Sequence, residues 1–179
     1  MTTITPRKTT ESVRFTDGST IELRPLGIRD GRLLSSFVSQ LSPESHNRRL
    51  LSGGGGVRSE WVASLINADQ DDCLVYGAVA VNEFGSALVA VAESIRDPGD
   101  RRRAEFALAA VDPWQDMGIG TLLTRHVTRI ARSRGIRCWE THMLAENTGM
   151  ARVMDHVGIR VGYSVHMGLA SIVHELDRL

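Results

Sequence analysis

The chain has 179 residues, of which 42% are hydrophobic and 23% charged, with 21 basic and 21 acidic side chains. This length suits one domain with a sizeable core that needs no disulfide or metal. The even charge balance argues against a general nucleic-acid-binding protein, which is usually clearly basic. No apolar run approaches the roughly 20 residues that span a bilayer, and the polar start lacks a signal-peptide core. We therefore expect a cytoplasmic protein without nucleic-acid or membrane partners.

The first half of the chain predicts a hairpin followed by three helices. Residues 1–11 are interpreted as a flexible tail and residues 12–179 as a single domain. Asp17-Gly18 is typical of a hairpin turn between extended runs at residues 13–15 and 20–24. Helices are predicted over residues 28–41, after Ser42-Pro43, and over residues 60–68. The glycine tract at residues 53–56 is expected to be a flexible connection, because no Gly-Lys-Ser/Thr follows it.

The second half predicts an antiparallel meander followed by strand, helix, strand, helix and strand. Runs rich in valine and alanine at residues 73–81, 87–94 and 104–111 are separated by short turns, which favour antiparallel pairing. A long amphipathic helix is predicted over residues 118–134, with Gly135 as its stop. A strand at 138–143, a helix at 147–156 and extended runs at 161–163 and 165–173 follow. The expected fold class is an α/β domain with one mixed sheet.

Residues 104–121 carry the clearest chemical signal, because a strand there runs through a proline turn into a glycine-containing loop and a helix. Gly118 and Gly120 leave room for a phosphate, and the unpaired N–H groups at a helix start suit an anion. Two interpretations stay open on this pattern alone: an anion-binding loop, or two glycines that serve only the helix start. The spacing fits neither a dinucleotide fingerprint nor a Walker loop.

The segment Gln115-Asp116-Met117-Gly118-Ile119-Gly120 resembles the Gln/Arg-x-x-Gly-x-Gly/Ala loop of the GNAT (Gcn5-related N-acetyltransferase) superfamily. It stands between a Val-x-Pro strand end and the long helix, as it does in that family. Asn147, which heads a helix that ends at Gly158, is similar to the family's second motif, and the resemblance covers about residues 13–175. Within the superfamily, the chain most resembles the acyltransferase domain of bacterial protein lysine acetyltransferases. The residues that carry this narrower likeness are Asp17-Gly18, Leu23-Arg24-Pro25, Glu105-Phe106-Ala107 and Met143-Leu144.

The resemblance implies a GNAT-type fold and transfer of acetyl from acetyl-CoA to an amine, and the narrower likeness implies a protein lysine as that amine. It implies that loop amides bind the pyrophosphate, that the pantetheine arm pairs with the splayed strand, and that Asn147 contacts this arm. The implied cofactor-binding residues are Ala109, Val111, Gln115, Asp116, Met117, Gly118, Ile119, Gly120, Thr121 and Asn147.

The reaction also needs a base, since a lysine amine is protonated at neutral pH and cannot attack a thioester. Glu105 is the candidate, because it is an acid among alanine and phenylalanine on the strand that leads into the loop. By strand alternation it lies on the same side as Ala107 and Ala109, and the resemblance implies the role of general base for it. The alternative is a structural glutamate that pairs with Arg102 or Arg103.

Two features depart from the family pattern. Asp116 and Met117 stand where glycine and a basic residue are common, and a carboxylate beside a pyrophosphate is repulsive unless it points outward or pairs with an arginine. Met154 stands where many members carry a tyrosine that protonates the leaving thiolate. These departures keep open a non-catalytic CoA-binding or protein-interaction module, and a small-molecule amine acetyltransferase is a further alternative. No metal site is predicted from the scattered histidines, and a monomer or homodimer is expected.

Overall fold

Eight strands form one mixed sheet in the computed structural model, which describes residues 10–14, 20–51, 58–83 and 85–176. The strands are β1 (Glu11–Arg14), β2 (Thr20–Pro25), β3 (Cys73–Asn82), β4 (Gly85–Arg96), β5 (Arg103–Ala110), β6 (Cys138–Leu144), β7 (Ile159–His166) and β8 (Leu169–Glu175). Their order is β1-β2-β3-β4-β5-β6-β8-β7, and only the β5–β6 pair is parallel among these neighbours. The predicted α/β class, with a meander followed by alternating strands and helices, is confirmed.

Helices cover both faces of the sheet. They are α1 (Gly31–Gln40), α2 (Pro43–Leu50), α3 (Arg58–Ile66), α4 (Ile119–Ser133) and α5 (Thr148–Asp155), with 3₁₀ turns at Ile28–Asp30 and Asp112–Trp114. The first three helices lie on the face that carries Glu93 of β4, since both Arg49 of α2 and Trp61 of α3 bond to that carboxylate. α4 and α5 pack on the opposite face. None of the described helices is long and apolar enough to cross a membrane.

The ends of these helices follow from local sequence chemistry. Ser42 caps α2, because its Oγ accepts a hydrogen bond from the Ser45 N–H at 3.1 Å, and Pro43 supplies the first helical residue. Asn147 caps α5 in the same way, through a 3.1 Å bond from the Met150 N–H to its Oδ1. Gly135, with φ of +88°, ends α4.

The core beside the parallel strand pair is aromatic. The Trp139 and Phe106 rings are stacked with centroids 4.1 Å apart, and the Trp139 Nε1–H donates to Ser94 Oγ at 2.9 Å. Both rings are almost fully buried on the face that α4 covers. Burial of each such side chain contributes about 1.5–3 kcal/mol, so this cluster fixes β5 against β6 at their shared end.

The structure corrects the boundaries of two predicted elements. The helix expected over residues 28–41 begins as a 3₁₀ turn and becomes α-helical only at Gly31. The break expected at residue 164 is wrong: β7 continues to His166, and the turn lies at Met167 and Gly168, with φ of +49° and +81°. A glycine that can adopt positive φ decides the turn, and Ser164 lies within the strand. The hairpin turn at residues 16–19 and the glycine tract at 53–56 lie outside the described residues.

Candidate active site

The parallel strands β5 and β6 separate after three residue pairs. Their last pair is Glu105 with Glu140, and beyond it β5 stays paired only with β4. The Val111 N–H donates to the Val89 carbonyl at 3.0 Å, so it is already used within the sheet. By strand alternation, the backbone N–H and C=O groups of Leu108 and the N–H of Ala110 point the other way, into the gap left by β6. The Ala110 carbonyl on this side already accepts a hydrogen bond from Gln115. The fork therefore presents an open strand edge.

A cavity of about 460 Å³ lies at this gap. It is bordered by α2, by the end of β5, by the loop before α4 and by the start of α5. The cofactor-binding residues predicted from the sequence that line it are Ala109, Gln115, Asp116, Gly118, Gly120, Thr121 and Asn147. Val111, Met117 and Ile119 are not among its lining residues: Val111 and Ile119 are buried in the core, and Met117 is exposed.

The loop before α4 turns through two residues in the left-handed region. Asp116 has φ of +56°, and Gly118, the residue just before α4, has φ of +80°. The N–H groups of the first helical residues have no carbonyl one turn earlier to bond to, and they carry the positive end of the helix dipole. Gly120 sits close to β5, since a Cβ there would lie 3.1 Å from Leu108 Cδ2. This arrangement offers backbone donors to an anion.

The Gln115 side chain ties α2 to the end of β5. Its Nε2 donates to Ser45 Oγ at 2.9 Å and to the Ala110 carbonyl at 3.0 Å. Ser45 Oγ in turn donates to Asp112 Oδ1 at 2.7 Å, and this bond is the main reason that the pKa of Asp112 lies below its ordinary value. Gln115 thus holds the cavity wall together with its side chain.

Asp116 is exposed at the rim of the cavity. Its side chain is 90% exposed, and Oδ1 lies 3.7 Å from Arg152 Nη2 of α5. Exposure to solvent and the neighbouring arginine both weaken the repulsion that this carboxylate exerts on a phosphate.

The start of α5 forms the wall opposite α2. Asn147 uses Oδ1 as a helix cap, while its Nδ2 has no hydrogen-bond partner within the described residues. Met154 is fully buried and does not line the cavity, whereas the exposed His156 at the end of α5 does.

Glu105 lies at the base of the fork with an exposed side chain and outside the cavity lining. Neither Arg102 nor Arg103 forms an ion pair with Glu105. The Arg103 guanidinium instead lies 3.4 Å from the Glu140 carboxylate. Glu140 also accepts from Ser171 Oγ at 2.7 Å, and this bond is the largest cause of its lowered pKa. Within the described residues, Glu105 has no ion-pair partner, so its carboxylate is available at the surface.

A second carboxylate, missed by the sequence interpretation, lies on the same face of the sheet. Glu93 is 5% exposed, pairs with Arg49 and accepts from Trp61 Nε1 at 2.9 Å. The Arg49 guanidinium also lies 5.0 Å from the Trp61 ring centroid, and Arg49 lines the cavity. The available signal was an acid inside the otherwise apolar run of β4. In register, Glu93 lies opposite Ala107, two residues from Glu105.

The forked sheet, the glycine-headed helix and the cavity between them define an N-acetyltransferase. Residues 44–159 match the model of the acetyltransferase (GNAT) family, and the chain belongs to this family. GNAT enzymes generally use acetyl-CoA and act on amine acceptors. Within the described residues, no group of three or more His, Cys, Asp or Glu side chains is placed to hold a metal ion.

Three relatives illustrate the similarity. Acetyltransferase PA5475 of Pseudomonas aeruginosa is 24% identical over 160 residues, which cover 89% of this chain and 85% of that protein. The GNAT domain of S. lividans PAT is 26% identical, with a TM-score of 0.82 over 97% of this chain and 100% of that domain. The cAMP-binding acyltransferase from Mycobacterium smegmatis shares the fold, with 20% identity and a TM-score of 0.62 over 94% of this chain. This chain spans about half of that protein, 48% of its length.

Proposed function

We propose that this enzyme transfers an acetyl group from acetyl-CoA to the side-chain amine of a protein lysine, with Glu105 as the general base. The observation that carries the proposal is the separation of β5 from β6 immediately after Glu105. The fork places a free carboxylate at the base of an open strand edge, and this edge leads to the glycine-headed α4. A thioester held along that edge lies between an anion-binding loop and a base.

The residues of the cavity fit acetyl-CoA, which supplies the activated acetyl group. The amides around Gly118 and Gly120 suit the pyrophosphate, because backbone N–H groups bind phosphate without a basic side chain. Arg48, Arg49 and Arg152 also line the cavity, against the acids Asp116 and Glu146, so the lining is not repulsive to an anion overall. The open edge of β5 and the Asn147 Nδ2 offer hydrogen bonds to an extended amide-containing arm.

In this proposal Glu105 takes the proton that the amine loses as its nitrogen attacks the acyl carbon. The carboxylate faces the side of the sheet that α1, α2 and α3 pack against, where α2 contacts the far end of β5 while Glu105 itself is exposed. The amine can therefore approach from this face while the acyl donor lies in the gap. Met154 carries no acidic proton and is buried away from the cavity, so in this proposal the departing thiolate takes its proton from water.

The open face around Glu105 supports a protein acceptor. Sites for small molecules usually bury most of the ligand surface, whereas Glu105, and the half-exposed Glu140 and His142 beside it, lie on an open surface. Such a surface suits a lysine that another protein presents. The likeness to S. lividans PAT, a protein acetyltransferase, supports the same acceptor class.

Cofactor binding is tested by titrating acetyl-CoA into the purified protein in a calorimeter, using two glycine variants. Gly118→Ala and Gly135→Ala place alanine at positive φ at opposite ends of α4, at a cost of about 1–2 kcal/mol each. Both should lower the melting temperature, but only Gly118→Ala should weaken acetyl-CoA binding. No binding by the unsubstituted protein at millimolar acetyl-CoA would overturn the proposal.

Acceptor choice is tested by mass spectrometry of lysine-containing proteins and by kinetics with small amines. We expect acetylated lysine side chains on protein acceptors, and a lower kcat/KM for free amines. If small amines are the better substrates by kcat/KM, the protein-lysine part of the proposal is wrong while the acetyl-CoA part stands.

A further inference from the structure

The edge strand β7 carries an exposed apolar surface. It pairs with β8 on one side and is the last strand in the sheet order of the described chain. Its apolar side chains are all exposed, including Tyr163 at 57%, and Met167 in the following turn is 89% exposed. Proteins usually protect a sheet edge with charges, proline or a covering element, because its unpaired N–H and C=O groups can pair with another strand. Within the described residues, β7 carries only one such charge, Arg160, which is held by Asp155, and one bulge.

The sequence of β7 reads similarly in both directions from Tyr163. Gly162 and Ser164 are both small, and Val161 and Val165 are identical. Arg160 and His166 are both basic types, and Ile159 and Met167 are both large and apolar. In an antiparallel pair of identical strands, a two-fold axis at Tyr163 places each residue opposite its counterpart of like size and polarity. Alternation along a strand accounts for part of this symmetry, and the identical valines on either side of Tyr163 add to it.

We propose that two copies of this chain pair antiparallel along β7, with Tyr163 opposite Tyr163 of the second copy. The two eight-stranded sheets then form one continuous sheet. This proposal concerns the subunit interface and is independent of acetyl transfer.

The charges along the strand permit this pairing. Arg160, which comes opposite His166 of the second copy, already donates to Asp155 Oδ1 at 2.8 Å and to Oδ2 at 2.7 Å. The pairing therefore adds no unneutralised guanidinium to the interface. The bulge between Arg160 and Gly162 bends this end of β7 against β8, so the pairs closest to Tyr163 dominate the contact.

The size of the surface sets the strength of the dimer. Stable interfaces bury about 800 Å² on each partner, and one strand with its neighbouring turn provides less than that. We therefore expect a reversible dimer whose population rises with concentration. The protein has a mass of 19.6 kDa, and analytical ultracentrifugation should show an average mass that rises from this value toward twice it.

A charge placed on the axis should separate the copies. Tyr163→Glu brings two carboxylates together at the two-fold axis and should keep the protein monomeric at every concentration. Ile28→Glu is the control, because Ile28 is also an exposed apolar residue and lies far from β7 in the chain, and it should leave the dimer intact. Circular dichroism confirms that both variants are folded. A wild-type protein that stays monomeric, or a dimer that survives Tyr163→Glu, overturns the proposal.

Cysteine cross-linking tests the register. Residues directly opposite each other have Cβ atoms about 4.5–5.5 Å apart, so Tyr163→Cys should form a disulfide-linked dimer under mild oxidation. In this register Val165 lies opposite Val161 of the second copy, so the two copies of residue 165 are four residues apart along the strands, roughly 13 Å. Val165→Cys alone should therefore not cross-link. The unsubstituted chain, with half-buried Cys73 and Cys138, is run in parallel. Cross-linking through residue 165 in preference to residue 163 contradicts the proposed pairing.

Discussion

Glu105 of β5 lies in register with Glu140 of β6, and this is the last pair before the two strands separate. Side chains of register partners point to the same face of a sheet, so the two carboxylates are neighbours on the open face. They differ in their partners: Glu140 is bonded to Ser171 and lies near Arg103, while Glu105 has no ion pair within the described residues. One carboxylate is thus held in the structure, and the other is available for proton transfer.

This difference predicts different kinetic effects for two similar substitutions. Glu105→Gln should lower kcat by about 10²–10⁴-fold, which is the usual contribution of a general base, and should leave acetyl-CoA affinity nearly unchanged. Glu140→Gln removes a carboxylate from the same face and should lower kcat only a few-fold. Steady-state kinetics with a protein acceptor and calorimetry with acetyl-CoA measure both quantities. Equal losses in the two variants would remove Glu105 from its proposed role.

Asp116 allows a test of electrostatics at the anion loop. Asp116→Gly removes a negative charge and relieves the positive φ of +56°, so it should tighten acetyl-CoA binding. Because the side chain is 90% exposed and faces Arg152, we expect a modest gain of roughly 2–5-fold. Calorimetric titrations at low ionic strength measure the effect.

The variant Asp116→Asn separates charge from backbone strain, since asparagine tolerates positive φ as aspartate does. If repulsion is the cause, Asp116→Asn gives a similar gain, and the gain shrinks in 0.5 M salt as screening increases. If only Asp116→Gly binds acetyl-CoA more tightly, the effect comes from the backbone. Equal affinities of the unsubstituted protein and both variants would contradict the prediction.

The two adjacent arginines of α2 predict different stability effects. Arg49 pairs with the buried Glu93, and its Nε is itself buried without a hydrogen-bond partner. Glu93→Gln leaves this guanidinium without its counter-charge and should lower the free energy of unfolding by roughly 3–5 kcal/mol. Glu44→Gln removes the partner of Arg48 from a pair that is largely exposed and should cost less than about 1 kcal/mol. Urea unfolding measures the free energy of unfolding of both variants. A loss in Glu93→Gln as small as that expected for Glu44→Gln would show that the Arg49–Glu93 pair does not stabilise the fold.

Local chemistry made much of this architecture predictable. The cap residues Ser42 and Asn147 and the stop at Gly135 depend on neighbours within a few positions, and the sequence indicates them directly. The clamp from Gln115 to Ser45 joins residues 70 positions apart, so no local pattern contains it. The same holds for Glu93, whose burial depends on Arg49 and Trp61 from two other elements. The site thus combines a locally encoded loop with walls that only tertiary packing defines.

His174 predicts the pH dependence of stability. Its side chain is fully buried in β8, with Nε2 3.2 Å from Asp155 Oδ1. Burial lowers the pKa of His174 below its ordinary value of 6.5, and the hydrogen bond to Asp155 opposes this only in part. Burial also acts on Asp155, but its bonds to Arg160 and His174 hold the pKa of that carboxyl below its ordinary value. Asp155 therefore stays ionised at mildly acidic pH, and His174 takes up its proton only at a lower pH than it does in the unfolded chain.

The sign of the effect follows from proton binding in the two states. Below about pH 6.5 the unfolded chain takes up a proton at residue 174 that the folded chain does not, so stability is full above this pH and falls as the pH decreases. One proton changes stability by at most about 1.4 kcal/mol per pH unit. The melting temperature should fall between pH 7.5 and pH 5.5, and His174→Gln should flatten this dependence while lowering stability at pH 7.5. His142→Gln removes an exposed histidine from the neighbouring strand and should retain the full slope. A slope that persists in His174→Gln would place the titrating group elsewhere.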